Sequence, residues 1–220
     1  LTISKRQVSL LIYDFDGTLV DTLEDIAWSV NQALLEMRLS NLPLETIRKY
    51  VGRGVVPLMT RSLETAGGEK KDLDRAVESF KKIYADHLLV KTRLYPHSRE
   101  TIEHFSNKKQ AILSNKPAAF IEKILKGLDF LAPFQEIAGG DTFASRKPDP
   151  EGLLKLIENF KVEKSRVAMI GDSAIDIETG KRAGVITVGV SYGFCDPRSN
   201  PEFQADCMID DLSQLIGLLD

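Results

Sequence analysis

The chain has 220 residues, with 29 Lys and Arg against 32 Asp and Glu, a net charge of −3 and 43% hydrophobic content. This is the composition of a soluble globular protein with one substantial core and an appendage, or two modest domains. The slight acidity provides no broad basic surface for a polyanion, so no nucleic-acid partner is expected, and an anionic ligand needs a metal ion or a local group of cations.

The first apolar run, Val8 to Tyr13, reads as a buried parallel strand, followed by the turn Asp14-Phe15-Asp16-Gly17-Thr18. From Thr22 to Val90 only helical periodicity appears: Ile26, Val30, Ala33, Leu34 and Met37 share one stripe, Val55, Leu58, Met59 and Leu63 a second, and Val77, Phe80 and Tyr84 a third. An insert of about seventy residues is too long for a crossover connection, so a separate helical domain is expected. Strands then alternate with helices: Ala111 to Leu113, a weaker Glu136 to Ala138, Val167 to Ile170, and Val185 to Val190, with helical patterns at Phe120 to Leu128 and Leu153 to Phe160. The expected fold class is α/β, a Rossmann-like parallel sheet with helices on both faces. Residues 1–19 and 93–220 are assigned to this core and residues 20–92 to the all-helical insert.

No run is long and apolar enough to cross a membrane, and Leu1 to Arg6 has no apolar signal core, so no membrane partner is expected. The chain begins at Leu1 instead of Met, and a few further residues are expected ahead of it. Cys195 and Cys207 form neither a metal-ligand spacing nor a disulfide framework, which suits a reducing, cytoplasmic setting. Nothing in the sequence selects a monomer over a homodimer.

Ligands of an open parallel sheet lie beyond the carboxyl ends of its strands. Those ends carry Asp14-Phe15-Asp16-Gly17-Thr18, then Ser114-Asn115-Lys116-Pro117, then Gly171-Asp172-Ser173 followed by Asp176, while Arg146-Lys147-Pro148-Asp149-Pro150 precedes a helix. Each segment alone has an ordinary reading: a solvated Asp-Gly turn, a helix opened by Pro, a helix cap, a surface lysine. Together they bring carboxylates, a hydroxyl and a lysine to one crevice.

In that order the segments resemble the haloacid dehalogenase-like superfamily of phosphatases: Asp-x-Asp-x-Thr at Asp14, Asp16 and Thr18, a Ser after a strand at Ser114, a lysine at Lys147, and Gly-Asp-x-x-x-Asp at Gly171, Asp172 and Asp176. The helical insert after the first motif is similar to that superfamily's cap. The resemblance implies a phosphomonoester hydrolase in which Asp14 is the nucleophile, forming an aspartyl-phosphate, and Asp16 the general acid and base. It implies Mg²⁺ held by Asp14, the Asp16 main chain and Asp172, with Asp176 beside it; oxygen donors without His or Cys agree with a hard cation. Thr18 would orient the acid, Lys147 would contact the phosphoryl oxygens, and Ser114 with the amides near Asn115 and Lys116, at the start of a helix opened by Pro117, would bind further oxygens.

The chemistry requires such cations. A carboxylate approaching a phosphate dianion at about 4 Å, with an effective dielectric near 20, meets roughly 8 kcal/mol of repulsion. Uncompensated, that is about six orders of magnitude in rate.

The insert segment Tyr50-Val51-Gly52-Arg53-Gly54-Val55-Val56 is similar to that of superfamily members acting on 2-phosphoglycolate, as are Asn115-Lys116-Pro117, Gly189 to Gly193 and Ala205 to Leu212. That similarity implies that Arg53, or the amides beside Gly52 and Gly54, faces the substrate carboxylate. A pyrophosphate or sugar-phosphate phosphatase and a sugar phosphomutase are the alternatives. His97 stands where relatives usually have Gly, at the return from the cap, and takes no part in catalysis in this reading. Trp28 is expected in the core of the insert, and His87 and His104 are expected to be solvated or held by a partner.

Overall fold

The computed structural model describes residues 6–220; residues 1–5, assigned above to the core, lie outside the described residues. In chain order the elements are β1 (Leu10–Tyr13), β2 (Val20–Asp21), α1 (Leu23–Glu36), α2 (Leu44–Arg48), α3 (Val55–Thr65), α4 (Leu73–Asp86), β3 (Arg93–Leu94) and α5 (Ser98–His104). They continue with β4 (Lys109–Leu113), α6 (Ala118–Gly127), β5 (Glu136–Ala138), α7 (Glu151–Phe160), β6 (Val167–Gly171), α8 (Ala174–Ala183), β7 (Ile186–Val190), β8 (Cys207–Ile209) and α9 (Leu215–Leu218).

Six strands form one sheet in the order β5-β4-β1-β6-β7-β8, every pair parallel. The alternation of strand side chains explains how both faces are covered. Leu10 and Ile12 pack with Leu153, Leu156 and Ile157 on one side, while Leu11 and Tyr13 belong with Ile102, Ile121 and Leu215 on the other. Because β1 lies between β4 and β6, the chain leaves in opposite directions around it, and the crevice beyond Tyr13 is the topological switch point.

All four helices between β2 and β3 come from the insert, and α1 packs chiefly on α4. The two chain passages between insert and sheet are tied by the short antiparallel ribbon β2–β3, Val20 opposite Leu94 and Asp21 opposite Arg93. Neither ribbon strand has an apolar run long enough to be read as a strand, so the ribbon is visible only in three dimensions. The same holds for β8, whose three residues include the exposed Met208.

Trp28 of the insert departs from expectation, and His97 lies just after β3, at the return to the core. Trp28 is 43% exposed rather than in the insert's core, and stacks on His87 with ring centroids 3.7 Å apart. The helical period explains it: Ile26, Ala27, Val30, Ala33 and Leu34 occupy the buried stripe of α1, and Trp28 projects from the opposite face. His87 in turn places Nε2 3.6 Å from the buried Asp25 carboxylate. His97 adopts left-handed backbone at φ 60°, a conformation that glycine takes without strain, and its Nε2 lies 3.6 Å from Asp211.

Candidate active site

The end of β1 builds the first part of the site. Asp14 donates its N–H to Ile170 of β6 at 2.8 Å, which holds its side chain at the mouth of the switch point, 8% exposed. The chain then folds back at once, as Gly17 N–H bonds Val20 O and both Leu19 and Val20 N–H bond Phe15 O. Gly17 has φ 87°, and a Cβ there would lie 2.3 Å from Asp172 Oδ2, so both the turn and the close approach require glycine. The turn aims Asp16 at the cleft, where Oδ1 accepts from Thr22 Oγ1 at 2.6 Å and from Lys116 Nζ at 2.9 Å.

Thr18 does not orient this acid. It is fully buried, its hydroxyl faces Asp172 Oδ1 at 3.5 Å and its carbonyl accepts from Tyr192 Oη at 2.8 Å. The threonine in contact with Asp16 is Thr22, four residues further along the chain and at the start of α1.

From β6 comes the second pair of acids. Asp172 accepts from the amides of Phe194 at 2.7 Å and Cys195 at 3.3 Å. Burial, then the nearby Asp176 and Asp14 carboxylates, raise its carboxyl well above the ordinary range despite those two donors. Asp176 is the third residue of α8 and closes a reciprocal cap with Ser173: its Oδ2 accepts from Ser173 N–H at 3.1 Å, while Ser173 Oγ accepts from its N–H. Its other oxygen takes Lys147 Nζ at 2.6 Å.

Lys147 binds this set together, with Nζ 2.8 Å from Asp14 and 2.6 Å from Asp176. Burial works against its charge, but the two carboxylates more than offset that and hold the ammonium above the usual lysine value. Asp14 Oδ1 makes this ion pair yet accepts no hydrogen bond of regular geometry among the described residues. Carboxylate oxygens of Asp14, Asp172 and Asp176 lie within 4.8 Å of one another. Three clustered carboxylates with one ammonium, an under-coordinated oxygen and only oxygen donors fit a hard divalent cation. Asp14 and Asp172 face the cleft, whereas Asp176 stands behind them, committed to Ser173 and Lys147.

The segment after β4 joins these parts to the insert. Ser114 is anchored by its N–H to Ala138 O at 2.9 Å and faces the cleft. Asn115, expected on the phosphoryl group, has its side chain fully engaged: Nδ2 donates to Gly52 O and Lys147 O, each at 3.0 Å, and Oδ1 accepts from Lys147 N–H at 3.0 Å. It braces the lysine loop and the insert loop together. The N-terminus of α6 is partly occupied as well, since Ala118 N–H donates to Asp141 Oδ1 at 2.9 Å.

Arg53 is exposed and does not contribute to the cleft wall, which takes Val51, Gly52, Gly54 and Val55 from its loop. Gly52 at φ 106° and Gly54 at φ 90° turn the main chain toward Asn115, leaving the side chain between them in solvent. The cation in the cleft wall is Lys116, whose Nζ donates to Asp16 and, at 2.7 Å, to Tyr84 Oη of α4. Desolvation lowers the Lys116 ammonium despite the neighbouring Asp16. In the sequence only the Lys116 amide has a visible role and Tyr84 falls in an apolar stripe, because nothing in the spacing shows that a side chain 32 positions away closes over that lysine.

The cleft, about 630 Å³ including its mouth, lies between sheet and insert. Acids and Ser114 form its floor; Ile26, Val55, Leu58, Phe80 and Phe120 supply much of the opposite wall.

A parallel sheet with clustered carboxylates at its switch point and a helical insert above them defines a phosphoryl-handling α/β enzyme class. The pattern of the family described as haloacid dehalogenase-like hydrolase matches residues 11–190, and the chain belongs to that family. A phosphoglycolate phosphatase of Psychrobacter arcticus is 35% identical over 218 residues, covering 96% of this chain and 95% of its own length. One from Haemophilus influenzae is 34% identical over 223 residues, covering 97% and 99%. Among solved structures, a "predicted phosphoglycolate phosphatase" of Haemophilus somnus superposes with a TM-score of 0.90 at 28% identity, covering 95% of this chain and 96% of that one. The protein is a hydrolase of the phosphatase type.

Proposed function

We propose that this protein hydrolyses 2-phosphoglycolate to glycolate and phosphate through an aspartyl-phosphate on Asp14, with Mg²⁺ held by Asp14 and Asp172. The observation that carries the chemistry is the placement of Asp14, buried beside Lys147 at 2.8 Å and lining the same cleft as Asp16. The substrate rests on the activity for which relatives matching nearly the whole chain are named.

Asp14 attacks phosphorus and its bond to the leaving alkoxide breaks, while Asp16, held by Thr22 and Lys116, gives that alkoxide a proton. Asp16 then takes a proton from the water that attacks the phosphoryl group, releasing phosphate and restoring Asp14. Lys147 offsets negative charge on the nucleophile and on the phosphoryl oxygens, and Ser114 offers its hydroxyl to those oxygens. When bound, Mg²⁺ supplies further charge neutralisation at the nucleophile and the transferred group. The insert acts as a cap that excludes water. The free thiols Cys195 and Cys207 suit a cytoplasmic enzyme.

The test is phosphate release from 2-phosphoglycolate, pyrophosphate and sugar phosphates, compared as kcat/KM with Mg²⁺ and with chelator. The expected result is a preference for 2-phosphoglycolate, abolished by chelation and by Asp14→Asn. Substantial turnover by that variant, or activity surviving full chelation, contradicts the mechanism.

A further inference from the structure

Resting on that phosphoglycolate reading, we propose that Lys116 is the residue that selects the substrate, its ammonium binding the carboxylate on the leaving-group side of the scissile bond. Among the residues lining the cleft it is the single cation. Arg53 is exposed outside the wall, and Arg48, also outside it, is engaged with Glu45 at 3.4 Å.

Reach decides between them. Asp16 serves the leaving oxygen, so a side chain touching Asp16 stands on the leaving-group side. In a two-carbon leaving group the carboxylate lies on the order of 4 Å from the ester oxygen, since each bond adds about 1.5 Å before bending. Lys116 Nζ, 2.9 Å from Asp16 Oδ1, is within that span.

Capacity agrees with reach. An ammonium has three N–H donors, and three acceptors face it, Asp16 Oδ1 at 2.9 Å, Asp16 Oδ2 at 3.2 Å and Tyr84 Oη at 2.7 Å, so an arriving carboxylate takes the place of the longest of these bonds. Asp16 also keeps Thr22 Oγ1 at 2.6 Å, so Lys116 can turn toward an arriving carboxylate without releasing the acid. Val55, Leu58 and Phe120 keep the surroundings apolar, where a charge pair is stronger than in water. Tyr84, on the cap, positions the lysine and makes selection depend on the cap being closed.

The experiment compares kcat/KM for 2-phosphoglycolate with that for 2-hydroxyethyl phosphate, which has the same length without the carboxylate, on the full chain with Mg²⁺. In Lys116→Met the ratio is expected to fall on the order of a hundredfold, mainly through KM for 2-phosphoglycolate. Tyr84→Phe is expected to lower it several-fold. Arg53→Ala is expected to leave it unchanged. Equal losses on both esters in Lys116→Met, or collapse of the ratio in Arg53→Ala, overturn the proposal. If Lys116→Met does not melt cooperatively, Lys116→Arg decides: KM rising selectively for 2-phosphoglycolate supports the proposal and equal changes reject it. A wild-type enzyme without preference for the carboxylated ester would instead remove the phosphoglycolate reading itself.

Discussion

At Gly17 one backbone angle and one side-chain approach bear on the whole site. Any Cβ there must displace the Asp172 carboxylate, since 2.3 Å is far inside contact distance, and φ 87° is unfavourable for other residues. Gly17→Ala is therefore expected to destabilise the protein by about 2 kcal/mol. It is also expected to weaken Mg²⁺ binding by at least about tenfold, because an acid next to the metal is pushed from its amide donors. Urea unfolding with and without Mg²⁺ separates the two effects. Thr22 and Lys116 show the limit of reading residues singly: each reaches Asp16 only through the fold.

The element with the most to say is α8, since its N-terminal cap belongs to the site as well as to the helix. Ser173 and Asp176 satisfy each other's amides, and the same Asp176 carboxylate holds Lys147. Ser173→Ala removes one cap bond and the hydroxyl that donates to Asp176 Oδ2 at 2.6 Å. A stability loss of about 1 kcal/mol is expected, together with a lower kcat as Asp176 and Lys147 lose their fixed orientation. Denaturant midpoints and steady-state kinetics of the variant check both; full activity with unchanged stability would refute the linkage. The Gly-Asp-x-x-x-Asp spacing made the helix start legible, whereas the pairing with Lys147 needed the loop after β5 to arrive beside it.

At the scale of the molecule the acids set a pH dependence. In the metal-free protein burial raises the carboxyls of Asp172 and Asp176 above their ordinary values, helped by the Asp176 and Asp14 charges beside Asp172 and by the Asp14 charge beside Asp176. A folded-state value above the unfolded one means that ionisation of these groups opposes folding. The stability they confer is fully present below the unfolded value, about 4, and is lost as pH rises through the folded values. Metal binding has the opposite sign, since it needs the ionised acids and releases protons. Mg²⁺ at about a hundred times its Kd is expected to add about 2.7 kcal/mol, raising Tm by roughly 5–10 °C for a chain of this size. That gain should shrink from about pH 7.5 to pH 5. Thermal melts at both pH values check this, and equal shifts would contradict it.

The sequence by itself determined the strand and helix periods, the parallel α/β class, the long helical insert and the acids at the strand ends, because each is local in the chain and repeats with the geometry of its element. It could not show which side chain meets which across 32 or 100 residues, as Lys116 meets Tyr84 and Asp16. Tertiary structure alone decided that Thr22 rather than Thr18 steadies the acid, that Asn115 braces loops, that Trp28 faces solvent, and that Lys116 rather than Arg53 brings its charge into the cleft. The physical reason is common to them. A side chain's direction follows from backbone turns such as those at Gly17, Gly52 and Gly54, and from what packs opposite, and neither is written in the spacing of residues along the chain.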